Sequence, residues 1–211
     1  MKAYKFLAEG RRAIFSGMTW TEGVWVEADG PPETCRAGIH GCLPQHLAYW
    51  VLDELWELEF DGELVETPLK VVARRGRLGA RVTAWNDDAR SDFMAEGIRR
   101  TVRYAVLELR EVGLDAEADS LESADDATLG EGAAAVGDGA AQVGQRDAAD
   151  LVSFIVDAVE YTRIGHTVGP AFIAAHAADL HSPIGVDDPF AAERESQGLW
   201  LAQRLGLTTG G

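Results

Sequence analysis

The amino-acid composition of this chain changes near residue 114, and this change limits how the chain can fold. The stretch 114–150 carries ten acidic residues against one basic residue, and 129–144 is almost entirely glycine, alanine and small polar residues. Such side chains bury too little apolar area to offset the entropy that a chain loses on folding. The stretch therefore predicts an acidic, disordered linker over 114–147, between an N-terminal domain over 1–113 and a helical segment over 148–207.

The first 113 residues have the pattern of a mostly antiparallel sheet with one or two helices. Alternation of polar and apolar residues predicts strands, at 2–7, 23–27, 55–60, 69–73 and 78–85. Asp61-Gly62 is typical of a hairpin turn, residues 44–53 predict a short helix opened by Pro44, and an apolar stripe from Ser91 to Gly113 predicts a longer one. Strands followed by helices indicate the α+β class.

Three helical patterns follow residue 148. The first ends near Gly165, the second begins near Gly169-Pro170, and the third has Asp188 as its N-cap and Pro189 at its first helical position. Three helices of this size are marginally stable alone. We therefore expect them to pack on the N-terminal domain or on another chain, either a partner protein or a second copy.

The formal net charge of −16 excludes whole classes of partner. Nucleic acids and anionic membranes require a basic surface, so neither is expected to bind. No stretch approaches the roughly 20 apolar residues of a membrane span, and the opening residues do not resemble a signal peptide. With two cysteines that are then expected to be reduced, the composition predicts a cytoplasmic protein.

The most distinctive local motif places Cys35, His40 and Cys42 within eight residues, in a C-x4-H-x-C arrangement with glycines at 38 and 41. Thiolate and imidazole are zinc ligands, and His46 is the nearest candidate for a fourth ligand. Two other interpretations stay open. One thiol could be a nucleophile with a histidine as its base, or both thiols could be small buried hydrophobes in a core loop.

A second, weaker cluster consists of the C-terminal histidines His166, His176 and His181. Two helices could aim such side chains and a carboxylate at one metal ion, as in helical bundles. The alternative places His176 in a helix interface and the other two in the connections between helices. No H-E-x-x-H pair is present to favour the metal.

The opening Lys2-Ala3-Tyr4-Lys5, the Cys-His-Cys element and the strand 57–62 together resemble an uncharacterised family of phage and bacterial proteins. The resemblance covers roughly residues 2–85 and implies no activity. Gly38-Ile39-His40 also resembles the ADP-ribosyltransferase-like fold, in which an early histidine holds a nicotinamide dinucleotide and a later glutamate catalyses. His40 would take the first role, and no later glutamate stands in a matching motif.

The chain contains no G-x-G-x-x-G, P-loop or G-x-S-x-G motif. The absence of a complete catalytic set favours a non-enzymatic binding or assembly module. The alternative is an enzyme centred on the Cys35–His40–Cys42 loop, either metal-dependent or similar to ADP-ribosyltransferases. Zinc is the one cofactor that the sequence suggests.

Overall fold

The structure, a computed structural model, describes residues 2–33, 37–182 and 186–207. Its class is α+β, as the sequence predicts, with an antiparallel sheet followed by helices. The strands are β1 (Lys2–Leu7), β2 (Val26–Glu27), β3 (Ile39–Gly41), β4 (Glu54–Thr67) and β5 (Lys70–Arg81). A short 3-10 helix at Pro44–Tyr49 precedes β4. The helices are α1 (Asp87–Glu111), α2 (Asp115–Ser123), α3 (Leu129–Gln142), α4 (Arg146–Arg163), α5 (Gly169–Leu180) and α6 (Pro189–Arg204).

The chain forms two compact units. The sheet unit contains Met1–Ala89 and Glu195–Gly211, and the helical unit contains Arg90–Arg194. These bounds differ from the predicted domains over 1–113 and 148–207, because the residues expected to separate the two domains fold into one of them. None of the helices in the described parts of the chain is both long and apolar enough to cross a membrane.

The strands of the sheet unit pair in a ring. β1 pairs with β4, β4 with β5, and β5 with β3, all antiparallel. Just after β3, Cys42 exchanges two backbone hydrogen bonds with Tyr4 of β1, at N–O distances of 2.8 and 2.9 Å. This bridge returns the pairing to the first strand, so the short segment around His40 and Cys42 is held from both sides.

The hairpin between β4 and β5 turns later than Asp61-Gly62. Thr67 pairs with Lys70 at the tip, and Asp61 lies inside β4 opposite Arg75. Gly62 has a φ of +89° next to an irregularity in the register. A glycine with this conformation forms a bulge in a continuing strand as readily as it forms a turn, which explains why the local sequence suggested the wrong position.

Side-chain caps are present at the start of α1 and α6, whereas α2, α3, α4 and α5 begin without one. Asp188 caps α6, since its Oδ1 accepts a hydrogen bond from the Ala191 backbone N–H at 2.8 Å. The start of α1 lies before the expected cap at Ser91. The side chain of Asn86 accepts from the Ala89 backbone N–H at 3.0 Å and so caps the helix five residues earlier.

The predicted linker over 114–147 is instead folded, as α2 and α3. Ala133 and Ala140 of α3 are fully buried in a core with Leu151 and Ile155 of α4. At Gly137 a Cβ atom would lie 3.5 Å from a methyl group of Val152, so the two helices approach closely. Small residues have little area of their own, but they let a neighbouring helix bury its large ones. The composition of 129–144 indicates the small area of these side chains, but not the large side chains of α4 that pack against them.

Candidate functional site

The Cys-His-Cys motif does not present a reactive thiol among its described residues. Cys35 lies outside them. Cys42 is buried, and its thiol donates to the Tyr4 carbonyl oxygen at 3.5 Å. Burial raises the pKa of the Cys42 thiol to about 12, although Lys5 acts against this. A thiol that stays protonated is neither a good nucleophile nor a metal ligand, so these observations favour the interpretation of Cys42 as a small core residue.

His40 lies in β3 opposite Val72, in a cationic environment. Burial lowers the pKa of its imidazole, and the charges of Lys70 and Lys5 lower it further. Its Nε2 is buried without a hydrogen-bond partner among the described residues, while the Lys5 ammonium donates to the His40 carbonyl oxygen at 2.7 Å. The ring is therefore held neutral, and no carboxylate contributes to its shift.

His46 points to a different neighbour. It is buried on the short 3-10 helix, and its Nε2 lies 3.8 Å from a carboxylate oxygen of Glu195 in α6. Burial lowers the pKa of His46, and Glu195 opposes that shift. Within the described ranges, none of His40, Cys42 and His46 belongs to a group of three or more side chains placed to hold a metal ion.

The three C-terminal histidines have separate partners rather than a common one. The His166 ring lies 5.1 Å from that of Tyr161, and the His176 ring lies between Phe172 and Phe190 at 4.5 and 5.0 Å. Of the three, His181 is the one whose ring nitrogen contacts a carboxylate of the described residues, that of Glu108. The interpretation of His176 as an interface residue fits this geometry better than a site shared by the three histidines.

His181 forms a cluster with Glu108 and Glu111 of α1. The two glutamates are three residues apart and so lie on the same face of the helix. The His181 Nδ1 lies 3.1 Å from Glu108 Oε2, and one candidate ligand atom from each of the three residues lies within 4.8 Å of the other two. The His181 side chain is 8% exposed and that of Glu108 is 17% exposed, whereas Glu111 is exposed at the surface.

The electrostatics of this cluster favour a cation. Two carboxylates converge there, and α1 ends at Glu111 while α5 ends at Leu180, directly before His181. The C-terminus of a helix carries a partial negative charge, which disfavours acidic side chains and attracts positive ones. The negative charges of Glu108 and Glu111 are therefore unfavourable at the end of α1. A positive charge between them would offset this.

A polar network continues along the same face of α1, one and two turns before Glu108. Arg100 donates to Glu193 at 2.9 Å, and the Tyr104 hydroxyl donates to the other oxygen of Glu193 at 2.7 Å. Burial opposes the charge of Arg100, but Glu193 and Glu96 together raise its pKa. The Tyr104 ring lies 6.0 Å from the His181 ring, so the network also supports the histidine of the cluster.

Sequence reasoning missed this face although a signal was present. Glu96, Arg100, Tyr104 and Glu108 follow one another at four-residue spacing, a polar stripe on a helix whose other side is apolar. The partners could not be found in the same way. His181 is 73 residues from Glu108, and Glu193 is 93 residues from Arg100.

Comparison with known proteins divides the chain at nearly the same place as the fold does. Residues 1–88 match the model of a family described as a domain of unknown function (DUF7666). That match agrees with the expected resemblance of the N-terminal part to an uncharacterised family, and it stops where the first segment of the sheet unit ends. No curated protein and no solved structure matches the chain. The cluster on α1 lies outside the matched region.

Proposed function

We propose that this protein is a non-enzymatic binding module whose helical unit holds a divalent cation at Glu108, Glu111 and His181. The observation that carries the proposal is the convergence of one imidazole nitrogen and two carboxylate oxygens within 4.8 Å. Ligand atoms about 2.1 Å from a common ion lie roughly 3.0–3.4 Å apart. The pair of His181 and Glu108 already has this separation, and a small movement of the exposed Glu111 side chain completes the set.

The donor set indicates which ions fit. One imidazole with two carboxylates suits zinc or manganese, whereas calcium prefers oxygen ligands alone. Glu111 lies at the surface rather than in a cleft, and reactive sites are usually concave. A cation here would fasten the end of α5 to the end of α1, which is a binding and stabilising role rather than a catalytic one.

The alternative, an enzyme centred on the Cys35–His40–Cys42 loop, has less support from the described residues. Burial raises the pKa of the Cys42 thiol, and burial with the charges of Lys70 and Lys5 lowers that of the His40 imidazole. At neutral pH the thiol therefore stays protonated, and the imidazole is a weaker base than an ordinary histidine.

Isothermal titration calorimetry with Zn²⁺ or Mn²⁺ tests the proposal. The full chain is first treated with a chelator and dialysed extensively. We expect saturable binding of one ion and a higher melting temperature, because an ion that binds only the folded state stabilises it. Glu108→Gln or His181→Asn should weaken binding by at least about tenfold, since even the loss of an outer partner of a metal ligand costs that much.

The matched control is Glu131→Gln, because Glu131 is an exposed carboxylate on α3 outside the cluster. This variant should bind like the original chain. The proposal is overturned by an unaltered melting temperature with both ions, or by equal affinities of the Glu108→Gln and Glu131→Gln variants.

A further inference from the structure

A groove of about 900 Å³ runs along α1 inside the helical unit, on residues that the cation cluster does not use. Its wall on α1 extends from Ser91 to Arg110. At 1.5 Å of rise per residue this wall is about 28 Å long. The opposite side comes from the end of α2, the start of α3 and the last turns of α4. A long, open groove of this kind fits an extended or helical occupant better than a compact small molecule.

The floor and the rim of the groove differ in chemistry. Apolar side chains from four helices form the floor, among them Ile98, Val102, Leu121, Leu129 and Val159. Four arginines stand along the rim, Arg99, Arg103, Arg110 and Arg163, against two acids, Glu122 and Asp126. An apolar floor with a charged rim is the arrangement that an amphipathic helix fits.

The charge of the rim stands out against the rest of the chain. The protein has 35 acidic residues and 19 basic ones, yet the groove has twice as many arginines as acids. Guanidinium groups that line a groove favour a partner with carboxylates at matching positions. The occupant that complements this groove is therefore acidic.

The rim arginines can exchange their present partners at low cost. Arg110 contacts Glu122 at 2.6 Å and Arg163 contacts Glu160 at 2.6 Å, and these arginine side chains are 41% and 71% exposed. Exposed ion pairs of this kind contribute little to stability. An incoming carboxylate can replace them without breaking a strong interaction.

The spacing along α1 gives the geometry of the partner. Arg99, Arg103 and Arg110 lie on one side of the helix. Arg103 lies about 6 Å and Arg110 about 16 Å further along the helix axis than Arg99. Carboxylates at four- and eleven-residue spacing on a second helix would meet all three. We infer that the groove docks an amphipathic helix of a partner protein, with an apolar stripe bordered by aspartates or glutamates at these intervals. The inference goes beyond the cation site and does not depend on it.

A labelled synthetic helix of 20 residues, with a leucine stripe bordered by glutamates at this spacing, is the probe. We expect it to bind the full chain in fluorescence anisotropy, and to bind less tightly as salt is added. A peptide with lysines in place of the glutamates, and one with serines in place of the leucines, should each bind at least tenfold more weakly.

The variant Arg99→Glu/Arg163→Glu should weaken binding of the glutamate peptide by at least tenfold. Arg146→Glu is the matched control, because Arg146 is an exposed arginine of α4 outside the groove, and it should bind the peptide normally. Equal binding of all three peptides, or an unchanged affinity of the double variant, overturns the inference.

A concentration-dependent dimer that the double variant abolishes, with no binding of the peptide, would also overturn the inference, in favour of a second copy as the occupant. Cation binding by the double variant, measured in the same preparation, separates a failure of this groove from a failure of the proposed cation site.

Discussion

The sheet unit and the helical unit treat their buried polar groups in opposite ways. In the sheet unit, burial lowers the pKa of Lys5 to about 8, lowers that of His40 and raises that of Cys42 to about 12. Each shift favours the uncharged form. In the helical unit, Arg100 keeps its charge in the interior because Glu193 faces it. Burial without a group of opposite charge favours the neutral form, whereas burial against such a group preserves the charge.

This difference indicates which unit keeps charged side chains that could bind a ligand. The motif richest in reactive residue types, around Cys42, belongs to the unit that suppresses charge. The stretch of low complexity that sequence composition marked as featureless belongs to the unit with the carboxylate–histidine cluster and the arginine rim. Residue types alone favour the sheet unit for charge-based binding, whereas the contacts of the described residues favour the helical unit.

Glu193→Ala tests the comparison with the largest expected effect. Without Glu193, Arg100 keeps its contact with Glu96 but loses its buried partner, and breaking a buried ion pair costs about 3–5 kcal/mol. Urea unfolding of the full chain measures the loss. The double variant Arg100→Met/Glu193→Leu should recover most of it, because a buried ion pair can often be replaced by apolar side chains. If the double variant is no more stable than Glu193→Ala, the pair is not the reason for the loss.

Ala133→Leu tests whether α3 is a packed helix, with a smaller expected effect. Ala133 is fully buried, so added methylene groups should overpack the core and cost about 1–3 kcal/mol. Ala134→Leu, at the exposed neighbouring position, should change the free energy of unfolding by less than about 0.5 kcal/mol.

Gly139→Ala is the complementary change in the same helix. No atom lies within 4 Å of the added Cβ, and alanine favours a helix over glycine by about 0.5–1 kcal/mol. A gain of this size is expected in the same unfolding experiment. No effect from any of the three α3 variants would restore the interpretation of this stretch as a linker.

The pH dependence of the sheet unit gives an expected effect of a similar, small size. The pKa of Lys5 falls from 10.5 to about 8 on folding, so between these values the unfolded chain binds more protons than the folded one. The free energy of unfolding therefore rises with pH there, by about 1 kcal/mol between pH 8 and 9. Cys42 acts in the opposite direction above pH 9, since folding raises its pKa from 9.0 to about 12.

Comparing the original chain with Lys5→Met cancels the contribution of Cys42 and isolates that of Lys5. We expect the rise between pH 8 and 9 to disappear in Lys5→Met and to persist in Lys2→Met, whose ammonium contacts Glu57 near the surface. Equal slopes for the original chain and Lys5→Met would show that the Lys5 ammonium is well solvated.

The first strand and the C-terminal helices could be predicted because their signals are local, whereas β3 was not predicted and β5 was expected as two strands. Alternation marked β1, and Asp188-Pro189 marked the start of α6. What failed depended on partners distant in sequence. The helical state of α3 needs the large side chains of α4, and the position of the β4–β5 turn needs the pairing of Asp61 with Arg75. In the candidate site, His181 was proposed as a ligand from sequence, but neither glutamate was paired with it.

The ring of strand pairing has a consequence for the order in which a ribosome makes this protein. β1 emerges first, but its six residues pair with Glu54–Glu59, and its remaining bridge is to Cys42. The opening strand must therefore wait, with its backbone groups bonded to water, until some fifty further residues have been synthesised. A nascent chain stalled before Glu59 would expose the apolar side of β1, and such a stall is where chaperone capture would be most useful.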